Sequence, residues 1–151
     1  MYNKAAHSGH ACAQSRLGFA YQDGLFDQAV DDKEALKWHR KAAEGGDDDA
    51  QTRLADAHMD GELNLAIDLE AAREWYQKAA ERGNGYAQYQ LGCAYKFGDL
   101  GLLADEDEAL KWYRKAAKGG DDVAQRRLAE AYENGDLGLL TDDKKALKWY
   151  R

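Results

Sequence analysis

The sequence predicts an all-α protein, a stack of helix-turn-helix units with a period of 37 residues. Three observations carry this. The four tryptophans stand at Trp38, Trp75, Trp112 and Trp149, each 37 residues after the last. Paired alanines keep the same step at Ala5/Ala6, Ala42/Ala43, Ala79/Ala80 and Ala116/Ala117, as does Ala-Gln at 13/14, 50/51, 87/88 and 124/125. Leu17, Leu54, Leu91 and Leu128 follow in phase, then Gly24, Gly61, Gly98 and Gly135, with no insertion disturbing the count. A fixed period of this size marks a repeat architecture, because one helix pair cannot bury both of its apolar faces and stacked pairs bury one another.

Taken in order, residues 1–9 read as the second half of a leading second helix. Residues 10–46, 47–83 and 84–120 are three full repeats, and 121–151 is a partial fourth, all in a single repeat domain that reads as a fragment of a longer array. Within the third repeat, Ala87, Leu91 and Tyr95 fall at i, i+4 and i+8, one face of a first helix. Gly98 follows as a left-handed stop. After a loop, Ala109, Trp112, Tyr113, Ala116 and Ala117 recur at spacings of three and four, and Gly120 ends that second helix. Small alanines let neighbouring helices approach, and Trp fills the larger gap beside them. Acidic clusters at Asp47–Asp49, Asp105–Asp107, Asp121/Asp122 and Asp142/Asp143 stand where helices begin, as caps and dipole partners rather than calcium ligands. Basic residues at Arg40/Lys41, Arg82, Lys115 and Lys118 stand nearer the ends of second helices.

The loops repeat their own chemistry. One position holds Asp27, Asn64, Gly101 and Gly138, the residue types that best tolerate positive φ. The phrase G-D-L-G-L-L occurs at Gly98–Leu103 and again at Gly135–Leu140. It lacks the Lys-Ser/Thr of a phosphate loop and reads as a turn whose leucines plug the core.

Composition excludes several classes. The chain has 151 residues, 44% hydrophobic and 32% charged, which fits a globular domain. A net charge of −7 argues against a nucleic-acid partner, since phosphate binding needs a basic face. No apolar run approaches the roughly 18–20 residues of a membrane span. The two cysteines, Cys12 and Cys93, are too few for a disulfide framework and read as free thiols.

The phrase A-L-K-W-Y-R-K-A-A-x-G-G, followed by A-Q-x-x-L-(A/G)-x-x-Y-x-x-G, resembles the Sel-one-like repeat, a relative of the tetratricopeptide repeat, over the whole chain. Ala13, Leu17, Gly18, Tyr21 and Gly24 match in one first helix, and Ala35, Trp38, Ala42 and Ala43 in its partner. The resemblance implies a right-handed α/α superhelical solenoid with a concave face lined by first helices, and a role in assembling other proteins without catalysis. Two departures stand out. The unit is 37 residues where the commonest family unit has 36, so one extra loop residue is expected between Gly24 and Ala35 and their equivalents. The loop also lacks the proline the family often carries. The cysteine-rich secreted subgroup is a poor match.

Catalytic constellations are absent from the reading. His39 takes the place of Tyr76, Tyr113 and Tyr150, and His58 that of Tyr21, Tyr95 and Tyr132, so both read as aromatic packing residues. His7, His10 and Cys12 form H-x-x-H-x-C, three ligands of the kind zinc or nickel takes. A metal-binding or enzymatic protein built on that cluster is the alternative reading, and a structural spacer between flanking domains is a third. No catalytic residue, metal site or cofactor is assigned.

One repeat breaks the pattern. By analogy with the tetratricopeptide groove, the concave positions are Cys12, Ser15, Phe19 and Asp23 in the first repeat. They are Asp49, Thr52, Asp56 and Asp60 in the second, and Val123, Arg126, Glu130 and Asn134 in the fourth. Those of the second and fourth repeats are mostly polar and are expected to face water. The third repeat instead holds Tyr86, Tyr89, Cys93 and Phe97, at i, i+3, i+7 and i+11, one stripe opposite the core face. Phe19 and Met59 extend the patch, and Lys96, Arg126 and Arg127 edge it with positive charge. Two readings stay open: the stripe anchors a protein or peptide ligand on the concave groove, or Tyr86 and Tyr89 pack on adjacent first helices. Met1 and Trp149 share a phase, so the chain begins and ends inside second helices. This predicts exposed terminal surfaces, including Trp149, and end-to-end self-association through the truncated terminal helices.

Overall fold

The computed structural model describes residues 2–150, and side chains from Lys4 to Tyr150. Among the described residues there are nine α-helices and no strands. They are α1 (Tyr2–His7), α2 (Ala11–Asp23), α3 (Asp32–Glu44), α4 (Asp48–Asp60), α5 (Leu69–Glu81), α6 (Gly85–Phe97), α7 (Glu106–Lys118), α8 (Asp122–Asn134) and α9 (Asp143–Trp149). Even-numbered helices are the first helices of the repeats and odd-numbered ones the second. None is long and apolar enough to cross a membrane. Met1, which shares the phase of the tryptophans, lies outside the described residues. The chain divides into two compact units, Met1–Trp75 and Tyr76–Arg151.

The first and second helices begin on the expected acids. Asp31, Asp47, Asp105, Asp121 and Asp142 each occupy an N-cap and accept a hydrogen bond from a backbone N–H inside the first turn. Asn84 does the same for α6. One residue of each acidic cluster therefore does the capping, worth about 1 kcal/mol. The exception is α2, whose N-cap His10 makes no side-chain cap. First helices end on Gly24, Gly61, Gly98 and Gly135, all left-handed (φ 67°, 73°, 73° and 76°).

A second recurring contact was visible in the sequence only as the letters Ala-Gln. The side-chain amide of Gln14 donates to the Ala6 carbonyl at 3.0 Å, and Gln51 to Ala43 at 3.0 Å. In the second unit Gln88 donates to Ala80 at 3.0 Å and Gln125 to Ala117 at 3.1 Å. Each first helix is thus latched to the last turn of the second helix before it, where free carbonyls need donors. Around the latch the alanine pairs are closed off: Ala42, Ala79 and Ala116 are fully buried. The residue after each of the first three tryptophans is buried more completely than the tryptophan itself. His39, Tyr76 and Tyr113 are inaccessible, whereas Trp75 and Trp112 are half-buried.

The loops carry two consecutive left-handed residues each. These are Phe26–Asp27, Leu63–Asn64, Leu100–Gly101 and Leu137–Gly138, with φ between 53° and 70°. The second of each pair was expected; the first was not, because three of the four are leucines. Each pair is closed by an i to i+3 hydrogen bond, such as Leu102 N–H to Asp99 C=O at 3.0 Å, and both central φ values have the sign of a type I′ turn. Burial offsets the backbone cost. Leu63, Leu100 and Leu137 are 4%, 4% and 2% exposed, and burying a leucine is worth about 1.5–3 kcal/mol. The expectation that all loop leucines plug the core needs correcting. Leu103 and Leu140, at the end of the repeated phrase, are 89% and 88% exposed, because the turn has already reversed and points them outward. Beyond each turn, the N-cap aspartate donates its own N–H back to the first helix, as Asp142 does to Tyr132 C=O at 2.8 Å.

Nothing lies within 4 Å of a Cβ added at Gly138, so a side chain there meets only the backbone penalty of positive φ. Gly138→Ala is expected to lower unfolding free energy by about 1 kcal/mol, and Gly138→Asn by less. Urea titration of the two variants checks the order.

Candidate interaction site

Helix α6 positions the odd stripe. Asn84 caps it, accepting from the Ala87 N–H at 2.9 Å. Its core face, Ala87, Leu91 and Ala94, is buried. On the other side the four stripe residues do not behave alike. Tyr86 and Phe97, at the two ends of the helix, are 42% and 60% exposed. Tyr89 and Cys93, in the middle, are half-buried and packed on the cluster formed by Ala109, Leu110, Tyr113 and Leu128.

The cause is a slot at Gly92. A Cβ there would stand 2.7 Å from the Tyr113 ring, so only glycine lets that ring in. Tyr113, from α7, then lies against α6. Its phenol donates to the Cys93 sulfur at 3.3 Å, and its ring sits 5.6 Å from that of Tyr89, tilted by 44°. Tyr86 meets Tyr76, from α5, edge-on at 6.3 Å. Tyr86 thus meets a ring from a second helix, while Tyr89 meets both Tyr113 of α7 and the adjacent first helix α8, through the cluster around Leu128. Burial pushes the Tyr89 and Tyr113 phenols up from their ordinary pKa, with the Cys93 thiol adding to the rise, so both act as neutral donors.

Beside Tyr89 the surface turns polar. A shallow depression of about 240 Å³ is lined by Tyr89, Val123, Arg126, Arg127 and Glu130. Arg127 donates to Glu130 at 3.1 Å, while Arg126 is exposed at the rim. Lys96 sits 5.5 Å from the centre of the Phe97 ring. The second unit thus brings Tyr89 and Arg126 to a common hollow, with Tyr86, Cys93, Lys96 and Phe97 on the same helix as Tyr89. Tyr113 was missed as a contributor. The signal for it was the glycine at 92, where the second and fourth repeats carry Ala55 and Ala129.

In the first unit, Phe19 is half-buried and meets the His39 ring edge-on at 4.7 Å. Met59 is half-buried on α4. Thr52, expected to face water, is instead 9% exposed, and Ser15 in the first repeat is 4% exposed. Thr52 remains satisfied by donating to the Asp49 carbonyl one turn back, at 3.0 Å. His39 packs as an aromatic ring, as expected. A Cβ on Gly18 would stand 2.8 Å from it, and neither ring nitrogen has a hydrogen-bond partner among the described residues. His7 packs edge-on to Trp38 at 5.1 Å, and His10 and Cys12 are exposed. Among the described residues no three His, Cys, Asp or Glu side chains are grouped to hold a metal ion. Trp149, expected to be exposed, is half-buried against the cluster around Leu128.

The Sel1 repeat model matches residues 13–47, 48–84, 85–121 and 122–151, nearly the whole chain in four copies. The chain belongs to the Sel1 repeat family. Among solved structures, a Sel1 repeat protein from Oxalobacter formigenes is 34% identical over 98% of this chain and 58% of its own, with a TM-score of 0.86. The protective antigen c5321 of uropathogenic Escherichia coli, described as having an SLR fold, is 39% identical over 98% of this chain and 31% of its own, again with a TM-score of 0.86. Helicobacter pylori cysteine rich protein B shares the fold at 22% identity and a TM-score of 0.64, over 82% of this chain and 91% of its own. The chain spans less than two thirds of the length of the first two. No curated protein is detectably related by sequence. Unlike a cysteine-stapled repeat, both cysteines of this Sel1 repeat protein are free thiols.

His39 makes the stability of this Sel1 repeat protein depend on pH. Its pKa is lowered from 6.5 to about 4, first by burial and then by the nearby charge of Arg53. Above pH 6.5 the ring is neutral in both folded and unfolded chains, and its contribution is fully present. Between 6.5 and about 4 the unfolded chain takes up a proton that the folded one refuses, so stability is lost, by up to about 3 kcal/mol. Melting curves from pH 7 to 4.5 are expected to fall more steeply for the unmodified chain than for His39→Phe.

Proposed function

We propose that this chain is a non-enzymatic interaction scaffold whose second unit holds a peptide or protein segment on α6 and α8. Sel1 repeat proteins are generally protein-interaction scaffolds, and the family assignment supports the class. The observation that carries the finer reading is the exposed aromatic pair on α6. Tyr86 and Phe97 are exposed at the ends of a helix whose middle is already packed, Lys96 sits 5.5 Å from the Phe97 ring, and Arg126 lines the hollow beside Tyr89. Large aromatics with a positive rim suit a ligand that offers an apolar side chain next to a carboxylate. The proposed contact residues are Tyr86, Tyr89, Cys93, Lys96, Phe97 and Arg126. Phe19 and Met59 belong to the first unit, and their part in binding is proposed for that unit alone.

The test selects from a random peptide display library on the immobilised chain, then maps the best peptide by amide chemical-shift changes. Shifts centred on α6 and the rim of α8 are expected, with enrichment of acidic and aromatic residues. No enrichment, or shifts confined to other helices, overturns the proposal. Phe97→Ala is expected to leave the melting temperature nearly unchanged while weakening peptide binding at least tenfold. Tyr89→Ala is expected to weaken binding and also to cost about 1–2 kcal/mol of stability, because its ring packs on Tyr113. A collapse of the fold in Phe97→Ala would show that the exposed stripe is core.

A further inference from the structure

Each loop between a first and a second helix contains one position that the fold leaves in water. Ala29, Ala66, Leu103 and Leu140 stand there, one period apart, and all four are exposed. The first unit fills the position with alanine. The second unit fills it with leucines that are 89% and 88% exposed. Leu103 keeps this exposure although α7, α8 and the next loop follow it in the same unit, so stacking a further repeat does not bury the position. Leucine therefore adds nothing to the loop that alanine does not supply, and what it adds is apolar surface.

Both leucines are held in place from two sides. Before them, the Leu102 N–H donates to the Asp99 carbonyl at 3.0 Å and the Leu139 N–H to the Asp136 carbonyl at 3.1 Å. After them, the Asp105 N–H donates to the Tyr95 carbonyl at 2.7 Å and the Asp142 N–H to the Tyr132 carbonyl at 2.8 Å. A side chain on a pre-ordered loop loses little freedom when a partner covers it.

Charge decides the partner. No Lys or Arg lies between Gly98 and Glu108, and Asp99, Asp105, Glu106 and Asp107 are all exposed there. Around Leu140, Asp136 and Asp143 are exposed. Of the two lysines that follow, Lys145 is held by Asp142 at 3.2 Å, and Lys144 is exposed. Exposed leucines bordered by carboxylates repel nucleic acid, anionic lipid and further copies of a chain of net charge −7, and they attract a cationic segment.

We propose that these two loops of the second unit form a docking surface for a basic amphipathic segment of another protein. Its apolar side chains cover Leu103 and Leu140, and its lysines or arginines face the flanking carboxylates. This surface selects the opposite charge from the stripe on α6, and it stands independently of that reading.

Fluorescence anisotropy with two labelled helical peptides of equal positive charge tests it. One carries leucines along one face and lysines along the other; its counterpart has serine in place of every leucine. The leucine peptide is expected to bind, more weakly as ionic strength rises, and the serine peptide at least tenfold more weakly. Leu103→Ala with Leu140→Ala installs the residue the first unit carries at this position, so it keeps the fold, and it is expected to weaken the leucine peptide at least tenfold. Glu106→Gln with Asp107→Asn is expected to weaken it severalfold. Phe97→Ala is expected to leave it unchanged, which separates this surface from the acidic-ligand site. No binding of the leucine peptide, equal binding of the two peptides, or an unchanged affinity in the double-alanine variant overturns the proposal. Leucine-dependent co-sedimentation with phosphatidylglycerol vesicles, or leucine-dependent self-association in sedimentation velocity, gives the surface to a membrane or to a second copy and overturns it equally.

Discussion

The glutamine latch is the contact on which the repeat depends. A first helix can slide or rotate on an alanine face with little change in apolar area, because alanine presents few features to interlock. A side-chain amide that must find one carbonyl removes that freedom. Gln14, Gln51, Gln88 and Gln125 each reach the second alanine of the preceding pair, at 3.0–3.1 Å in every repeat. The net gain of one such bond is only about 0.5–1.5 kcal/mol. Its larger effect is to forbid alternatives, since a shifted helix would strand the glutamine amide without its acceptor, whereas the carbonyl keeps a backbone N–H such as that of Gly46. With register fixed, the alanines close and the rings of His39, Tyr76 and Tyr113 are buried. The loop leucine then accepts a left-handed backbone in exchange for burial.

Much of this was legible in the letters. The period, the helix pairs, the aspartate caps and the glycine stops follow from spacing and residue type, and the structure agrees at Asp47, Asp105, Asp121 and Asp142 and at Gly24, Gly61, Gly98 and Gly135. What was not legible was which repeated letter held which other. The glutamines were visible but had no assigned partner, because the carbonyl they need belongs to the backbone. The leucines at 63, 100 and 137 gave no sign of positive φ, since their burial overrides the local preference. Leu103 and Leu140 read as core because they are apolar, and they are exposed because a turn decides direction and composition does not.

The stripe on α6 illustrates the same division. Sequence alone placed Tyr86, Tyr89, Cys93 and Phe97 on one face of one helix. It did not show that glycine at 92 admits the Tyr113 ring and draws the middle of that face into contact with α7. The first unit uses the same device differently. Gly18 admits His39, whose ring lacks a hydroxyl, and the position matching Cys93 is filled by Phe19. A tyrosine there would aim its hydroxyl at an aromatic ring. The substitution of His for Tyr thus follows from packing, and the lowered pKa is its by-product. Surfaces left over once these internal demands are met, at the ends of α6 and on the rim of α8, are where a partner finds exposed aromatic and cationic groups.

The most direct test of the account is to replace a latch glutamine by a residue of similar shape that cannot donate. Gln51→Met and Gln88→Met keep the volume and remove the side-chain donor, while the Ala43 or Ala80 carbonyl keeps the N–H of Gly46 or Gly83. Urea unfolding is predicted to show each variant less stable by about 1 kcal/mol, the net contribution of one buried hydrogen bond. A loss within about 0.5 kcal/mol of zero, the range of ordinary surface changes, would contradict the claim that the latch sets the register.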